Sequence, residues 1–329
     1  MTARDRLLLV TGATGAIGPA MVAAALAHGW RVRALARHGP PARLFSRDVD
    51  ARAGDLRNDD VRQSVLDGAD SVIHLAASLH VTSASAQAST DYQSLNVAAT
   101  AALARDAVAA GVRRIVFFST ISVYGDTNGR IATESTPLVP RTPYARSKVA
   151  AEVTLREACD STSCAATILR PAAVYGPRVK GNYRTMLERL ARGQAFPVLP
   201  GSNRRSLIFV DDLASAALLA IDDPRAAGQT FNVTDGQFHT VAEIVGAMCA
   251  ALGRGMPRFG VPSSAAAAMV KMSRPLLRGR LANISALVDK FVEDVTVDGS
   301  ALQRELGFRP SVDLHEGWRR AVADAGLAP

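Results

Sequence analysis

Short apolar runs separated by polar or alanine-rich stretches are the first pattern along this chain. Residues 6–11, with the apolar run "LLLV", are predicted as a buried strand, because so short a run lacks the three-to-four spacing of a helix face. The alanine-rich stretch 16–28 follows with helical composition and stops at Gly29, the residue a helix C-terminus favours. The alternation recurs, with strands over 31–36, 70–76 ("DSVIHLA"), 113–119 ("RRIVFFS") and 165–170, and helices over 92–110 and 143–158. Strand and helix in strict turn predict an α/β fold, a doubly wound parallel sheet with helices on both faces.

Beyond residue 174 the pattern loosens, with Pro and Gly clusters at 176–181 and 197–201 and helical stretches at 182–192, 211–222, 240–252 and 313–325. The stretch 206–235 again reads strand, helix, strand and is expected to return to the sheet. At 329 residues the chain exceeds the usual single domain. The expected division is therefore a nucleotide-binding domain over 1–173 with 206–236 returning to it, and a smaller, mostly helical C-terminal substrate lobe over 174–205 and 237–329. Asp211 and Asp212 stand before the apolar helix "LASAALLAI" and are expected to cap it.

The first strand-to-helix turn carries the first candidate chemistry. Gly12, Gly15 and Gly18 are spaced G-x-x-G-x-x-G, which suits a tight turn, close backbone approach to a pyrophosphate and close packing of helix on sheet. The N–H groups of the helix start would face the phosphates, and Pro19 falls where a missing N–H costs little. This is a Rossmann-type nucleotide turn. At the end of the second strand an acid would accept from the ribose hydroxyls, whereas a cation would pair a 2′-phosphate. Here stand Ala36 and Arg37, with Arg33 on the same strand, so NADP(H) is favoured and NAD(H) remains the alternative. Asp55 and Leu56, in "AGDLRN", are placed to contact the adenine edge.

A second constellation follows the strand at 113–119. Thr120 lies at its carboxyl end, and "YARSK" at 144–148 opens a helix that sets Tyr144 and Lys148 four apart on one face. Tyr has an ordinary pKa of about 10, and a neighbouring ammonium is expected to bring the phenol toward working pH, as an acid/base requires.

With these elements, "HLAA" at 74–77, Asn96 and "LRPAAVYGP" at 169–177, the chain resembles the extended short-chain dehydrogenases/reductases over nearly its whole length. Within them it is most similar to the nucleotide-sugar epimerase and 4-keto-reductase branch, through "HLAASLHV", "GPRVKGN", "LPGSNRRSLIFVDDLASA" and "VTVDGSALQRELGFRP". The resemblance implies hydride transfer at a carbinol or ketone carbon of a nucleotide-linked sugar. Tyr144 would be the acid/base, Thr120 its substrate-binding companion, and Lys148 both modulator of Tyr144 and ligand of the nicotinamide ribose. Thr14, Ala16, Ile17, Leu75, Ala76, Ala77, Asn96 and Pro171 would complete the dinucleotide site. Asn182 and Arg205 would contact the substrate, with Arg205 placed for a phosphate; His80, by its own position just past the strand at 70–76, is a candidate for the pocket lining or else a hydrogen-bonded structural residue. A homodimer through the alanine-rich helices is implied as well.

Two departures narrow this picture. Thr120 stands where Ser is commoner, and Ala173 precedes "VYGP" where sugar-nucleotide epimerases often carry Asn. Two rivals stay open: the same core acting on a non-sugar ketone or alcohol, such as a steroid-like or phenylpropanoid one, and a protein that senses NADP(H) without turnover. The second fits less well, since both Tyr144 and Lys148 are kept.

Composition adds mainly exclusions. Hydrophobic residues at 48% and charged residues at 21% fit a globular protein. Cys159, Cys164 and Cys249 form no C-x-x-C pair or Cys/His cluster, so neither a disulfide framework nor a metal site is expected. The net charge of +8 comes from scattered residues with no nucleic-acid module, and no apolar run has signal-peptide or membrane-spanning length. The expectation is a cytoplasmic enzyme that binds neither nucleic acid nor membrane.

Overall fold

The computed structural model describes residues 6–39, 44–78, 90–127, 129–178, 180–194, 204–256 and 296–327. Seven strands form one parallel sheet: β1 (Leu7–Thr11), β2 (Arg31–Ala36), β3 (Asp50–Ala53), β4 (Ser71–His74), β5 (Arg114–Phe118), β7 (Ala165–Pro171) and β11 (Thr230–Val233). Their order is β3-β2-β1-β4-β5-β7-β11, with β6 (Ile131–Ala132) and the short strands given below outside the sheet. Strand β1 is buried along its length, with Val10 opposite Ala34 on one side and Ile73 on the other. The order reverses between β1 and β4, and the crevice beyond the carboxyl ends of strands at such a reversal is where ligands of open α/β sheets bind.

Helix α1 (Gly18–Ala27) follows the glycine turn and α2 (Asp59–Leu66) follows β3. The helix expected over 92–110 begins as a π-helical turn, Tyr92–Ala98, and continues as α3 (Ala99–Ala109). Helix α4 (Pro143–Cys159) is opened by Thr142, whose hydroxyl accepts from the Ala145 N–H, with Pro143 in the first turn.

The remaining elements build a second apolar core. It joins α5 (Asn182–Ala191), α7 (Val241–Ala251) and α9 (Leu314–Asp324) around the fully buried Trp318, whose ring lies 5.1 Å from that of Tyr175. Two short strands, β8 (Ala173–Tyr175) and β10 (Leu207–Phe209), pair beside the main sheet, and β9 (Arg204–Arg205) pairs antiparallel with β12 (His239–Thr240). Helix α6 (Val210–Asp222) packs on α1, β13 (Thr296–Val297) pairs with β6, and α8 (Ser300–Leu306) lies against β11.

Asp212 departs from the cap expected for it. Its carboxylate is buried and accepts from the Ser311 N–H (2.9 Å), the Ser311 hydroxyl (2.7 Å) and the Val312 N–H (3.1 Å), fastening the segment before α9 to α6. Phe209 holds the cap position of α6 with no side-chain bond, while Asp211 faces outward, 3.5 Å from Arg320. A carboxylate one residue further into the helix points along the body, where the later segment offers more donors than the helix end does.

Candidate active site

The glycine turn is shaped by steric necessity at two points. Gly12 has φ +67°, and a Cβ there would come within 2.7 Å of the Ala76 backbone nitrogen; a Cβ on Gly18 would lie 2.1 Å from the Ala13 carbonyl oxygen. Helix α1 starts without a side-chain cap and with no acidic residue in its first turn, so its N–H groups and positive dipole end are left for an anion. A cavity of about 340 Å³ lies over this turn, lined by Gly12, Thr14, Gly15, Ala16, Ile17 and Gly18, by Arg37, Asp55 and Leu56, and by Leu75, Ala76 and Ala77. The donor set and the bare cradle fit a dinucleotide pyrophosphate.

At the rim, Arg37 is exposed, and Asp55 is tied to Arg57 through two side-chain contacts, 2.5 and 3.0 Å. That guanidinium holds the Asp55 carboxyl down at about 2. Arg33, counted above as a second cation for a 2′-phosphate, is committed elsewhere. It donates to Asp50 (2.7 Å) and to the carbonyls of Val65 (2.9 Å) and Asp67 (2.7 Å), clamping β2 to the end of α2. Only Arg37 of the two lines the cavity.

A second cavity, about 300 Å³, is lined by Thr120, Tyr144 and Lys148 together with Pro171, and it shares Ala16, Ile17, Leu75, Ala77 and Lys180 with the first. The two cavities thus meet where a nicotinamide ring would have to pass from the glycine turn to the hydroxyl groups. Thr120 is extended, and its hydroxyl accepts from the Ser122 N–H at 3.2 Å, opening the 3₁₀ turn Ile121–Tyr124. Tyr144 lies against Tyr92, ring centroids 6.2 Å apart.

The electrostatics differ from the sequence expectation. Burial, helped by the neighbouring Tyr92, pushes the Tyr144 phenol above its ordinary value, and Lys148 does not pull it down. The reason is where the ammonium points: Lys148 Nζ donates to the Phe118 carbonyl at 2.7 Å and sits 4.5 Å from the Phe117 ring centroid. Lys148 is itself buried and lowered to about 7 by that burial, with Glu152 acting in the opposite direction.

Asn96 is placed beneath the cavities, not in their wall. Its side chain accepts from the Ser78 N–H (2.7 Å) and donates to the Ser78 carbonyl (3.1 Å) and the Ser147 hydroxyl (3.0 Å). Ser147 in turn donates to the Tyr144 carbonyl at 2.7 Å. His74 continues this chain: the Thr100 hydroxyl donates to the Asn96 carbonyl, so it must accept from His74 Nε2–H, leaving Nδ1 to accept from Thr11. Burial, with Lys148 second, lowers His74 to about 3, which keeps it neutral in that role.

Asn182 opens α5 next to the cavity-lining Gly181 but does not itself line the catalytic cavity, and neither does Arg205. Arg205 lies on β9 beside Tyr183, whose phenol is pushed up to about 12 by burial against the opposing pull of Arg205. His80 lies outside the described residues. Lining residues that the sequence reading passed over are Ser119, Tyr175 and above all Lys180, the one charged side chain common to both cavities. Lys180 sits in "GPRVKGN", so its charge beside a Pro/Gly cluster was the available signal.

Among the described residues no group of His, Cys, Asp and Glu could hold a metal, and no helix is long and apolar enough to cross a membrane. The three cysteines are buried and unpaired by disulfides.

Fold and site together are those of an α/β protein with a nucleotide cradle at its first turn and a Tyr–Lys pair in the adjoining cavity. The chain belongs to the NAD dependent epimerase/dehydratase family, whose model matches residues 8–234. It is 31% identical over 326 residues to a UDP-glucose 4-epimerase of Vibrio cholerae, covering 96% of this chain and 94% of that one. It is also 31% identical over 278 residues to sterol demethylase protein B of Methylococcus capsulatus, covering 82% of each. Among solved structures, DesIV, the dTDP-glucose 4,6-dehydratase of Streptomyces venezuelae with NAD bound, superposes with a TM-score of 0.77 at 27% identity, covering 97% of both chains.

Proposed function

We propose that this protein transfers hydride to and from C4 of a nucleotide-linked sugar, as a 4-epimerase. The observation that carries the reading is the shared wall: Thr120, Tyr144 and Lys148 line a cavity that opens onto the glycine-turn cavity through Ala16, Ile17, Leu75 and Ala77. The similarity to a UDP-glucose 4-epimerase over nearly the whole length of both chains supports it. A bound nicotinamide dinucleotide supplies the hydride acceptor and, when oxidised, a formal positive charge. Tyr144 takes the proton from the C4 hydroxyl and returns it to the same oxygen. Thr120 holds that oxygen, and Lys148, whose ammonium donates to the Phe118 carbonyl, would hold the nicotinamide ribose.

Ala36 and Arg37 support NADP(H) as the preferred dinucleotide, since Arg37 lines the glycine-turn cavity and no acid ends β2. Arg37→Ala should then weaken NADP(H) several-fold and leave NAD(H) unchanged in a paired titration. NAD(H) bound as tightly as NADP(H) by the parent protein would reverse the assignment. A homodimer through α3 and α4 belongs to the same reading, with Val153 exposed on α4; sedimentation should give twice the chain mass.

A second reading, a reductase of a non-sugar alcohol or ketone, is favoured by Ala173 and by the apolar wall that Phe118, Pro171, Val174, Pro177 and Val210 give the catalytic cavity. Both readings are tested by incubating the protein with UDP-, GDP- and dTDP-sugars and their 4-keto forms, and with alicyclic ketones, while following nicotinamide absorbance and product stereochemistry. Inversion at C4 without net loss of reduced cofactor establishes the epimerase. Stoichiometric oxidation with a keto-sugar establishes net reduction, and turnover of the alicyclic ketones alone establishes the second reading.

A further inference from the structure

A catalytic phenol has two demands to meet at once. Its hydroxyl must stay free for a substrate oxygen, and its ring must still be held in place, because a misplacement of ~1 Å can cost about 100-fold in rate. The backbone carbonyl of Tyr144 accepts from the Ser147 hydroxyl at 2.7 Å, but among the described residues nothing bonds its own hydroxyl. The ring is therefore oriented by packing. Tyr144 lines the catalytic cavity, so its ring can be backed only from the protein side, and there lies the buried ring of Tyr92, centroids 6.2 Å apart and planes tilted by 55°.

Tyr92 comes from the π-helical turn that leads into α3. Such a turn closes its hydrogen bonds one residue later than an α-helical turn, so the residues at its start are rotated by about one position, ~100°, relative to an unbroken helix. Counted back from the buried Thr100, Leu103, Ala104 and Ala107, an unbroken helix would leave Tyr92 and Gln93 sharing the edge of the packed face. The wider turn separates them: Tyr92 is buried and Gln93 exposed. A second contact anchors the same turn to α4, where Asn96 donates to the Ser147 hydroxyl at 3.0 Å. Tyr92 itself lines neither cavity, so any effect it has on the chemistry passes through Tyr144.

We propose that Tyr92 is a positioning residue for the reaction: its ring, carried in by the π-helical turn, backs the Tyr144 ring and holds the phenol at the cavity wall with its hydroxyl free to move the proton. The inference rests on Tyr144 as the acid/base of the proposed reaction. Tyr92→Leu removes the flat ring but keeps an apolar filling, and Tyr92→Phe keeps the ring. With the substrate that the assay above turns over, Tyr92→Leu should lower kcat by about 10- to 100-fold while KM and dinucleotide affinity stay within about twofold, and Tyr92→Phe should restore most of the loss. In a Tyr144→Phe background Tyr92→Leu should cost nothing further, because no proton carrier is left to position. Parent-like kcat in Tyr92→Leu, a rise in KM alone, or an equal loss in both backgrounds overturns the proposal.

A second arm needs no substrate. In NMR spectra of protein carrying 13Cε-labelled tyrosine, with the Tyr144 signal assigned by its absence from Tyr144→Phe, the Tyr144 ring should flip faster in Tyr92→Leu than in the parent and at the parent rate in Tyr92→Phe. An unchanged flip rate in Tyr92→Leu overturns the proposal whatever the reaction proves to be. Should Tyr92→Leu fail to fold, the parent protein decides: restrained flipping with a proton–proton NOE to Tyr92 supports the backing, and flipping as free as that of a surface tyrosine overturns it. Parent-like turnover in Tyr144→Phe would remove the acid/base assignment itself, a failure that the flip rates tell apart from a failure of the backing.

Discussion

Replacing Asn96 with Ala separates a ligand of the dinucleotide from a clamp beneath it. The side chain is 1% exposed and makes three hydrogen bonds, two to the backbone of Ser78 and one to Ser147 on α4. Each neutral bond contributes a net ~1 kcal/mol, and truncation also leaves the Ser78 N–H and carbonyl without the partner they had. The expected loss is therefore about 3 kcal/mol, a substantial part of the ~5–15 kcal/mol that holds a typical domain together. With an unfolding entropy near 2.1 cal/mol/K per residue, that corresponds to a fall of about 4 °C in the melting midpoint of a chain this long. The measurement is made on the ligand-free protein by calorimetry and urea titration. Because Ser78 closes the segment that carries Leu75, Ala76 and Ala77, dinucleotide affinity should fall in the same variant. Unchanged ligand-free stability with weakened dinucleotide binding would refute the clamp and return Asn96 to direct contact with the cofactor.

Three further outcomes follow from the same geometry. Tyr144→Phe should lower turnover by ~10²–10⁴-fold with dinucleotide affinity nearly unchanged, since it removes the proton carrier and little else; parent-like turnover would remove Tyr144 from the mechanism. Lys180→Met should weaken dinucleotide binding several-fold at low salt and less at high salt, because its ammonium borders both cavities in contact with solvent; a salt-independent change would point to packing. Asp212→Asn should destabilise the fold by about 1–3 kcal/mol in urea, as a charged acceptor with three donors becomes neutral, while dinucleotide affinity stays as it was.

The sheet was legible because parallel strands buried on both faces read as apolar runs, and β1, β4, β5 and β7 lie on such runs. Helices announced by a strong cap were legible too: Thr142 with Pro143 opens α4, and Thr240 with Glu243 forms a capping box at α7. What escaped were short pieces whose order comes from neighbours. The three-residue strand β8 exists because it pairs with β10, the strand that opens the stretch 206–235, and no local periodicity marks so few residues. The π-helical turn at Tyr92–Ala98 has the composition of the ordinary helix that continues it.

At the site, side chains that line a cavity were easier to read than side chains that hold the wall. Glycine spacing, a strand-end hydroxyl and a Tyr–Lys pair one turn apart express their geometry within a few residues of sequence. Arg33, Asn96, Asp212 and Glu152 are polar residues whose partners lie 17 to 100 positions away, except for contacts within their own turn. Nothing local distinguishes Arg33, bound to Asp50 and two carbonyls, from the exposed Arg37 four residues later, although only one of them is available to a phosphate. The same holds for the acid/base pair. Spacing placed Lys148 and Tyr144 on one helical face, but the direction of the ammonium depends on the Phe118 carbonyl thirty positions away. Which groups face this site is therefore decided by packing between distant segments, and side chains one layer below the cavity, such as Asn96 with its bonds to Ser78 and Ser147, hold the wall without lining it.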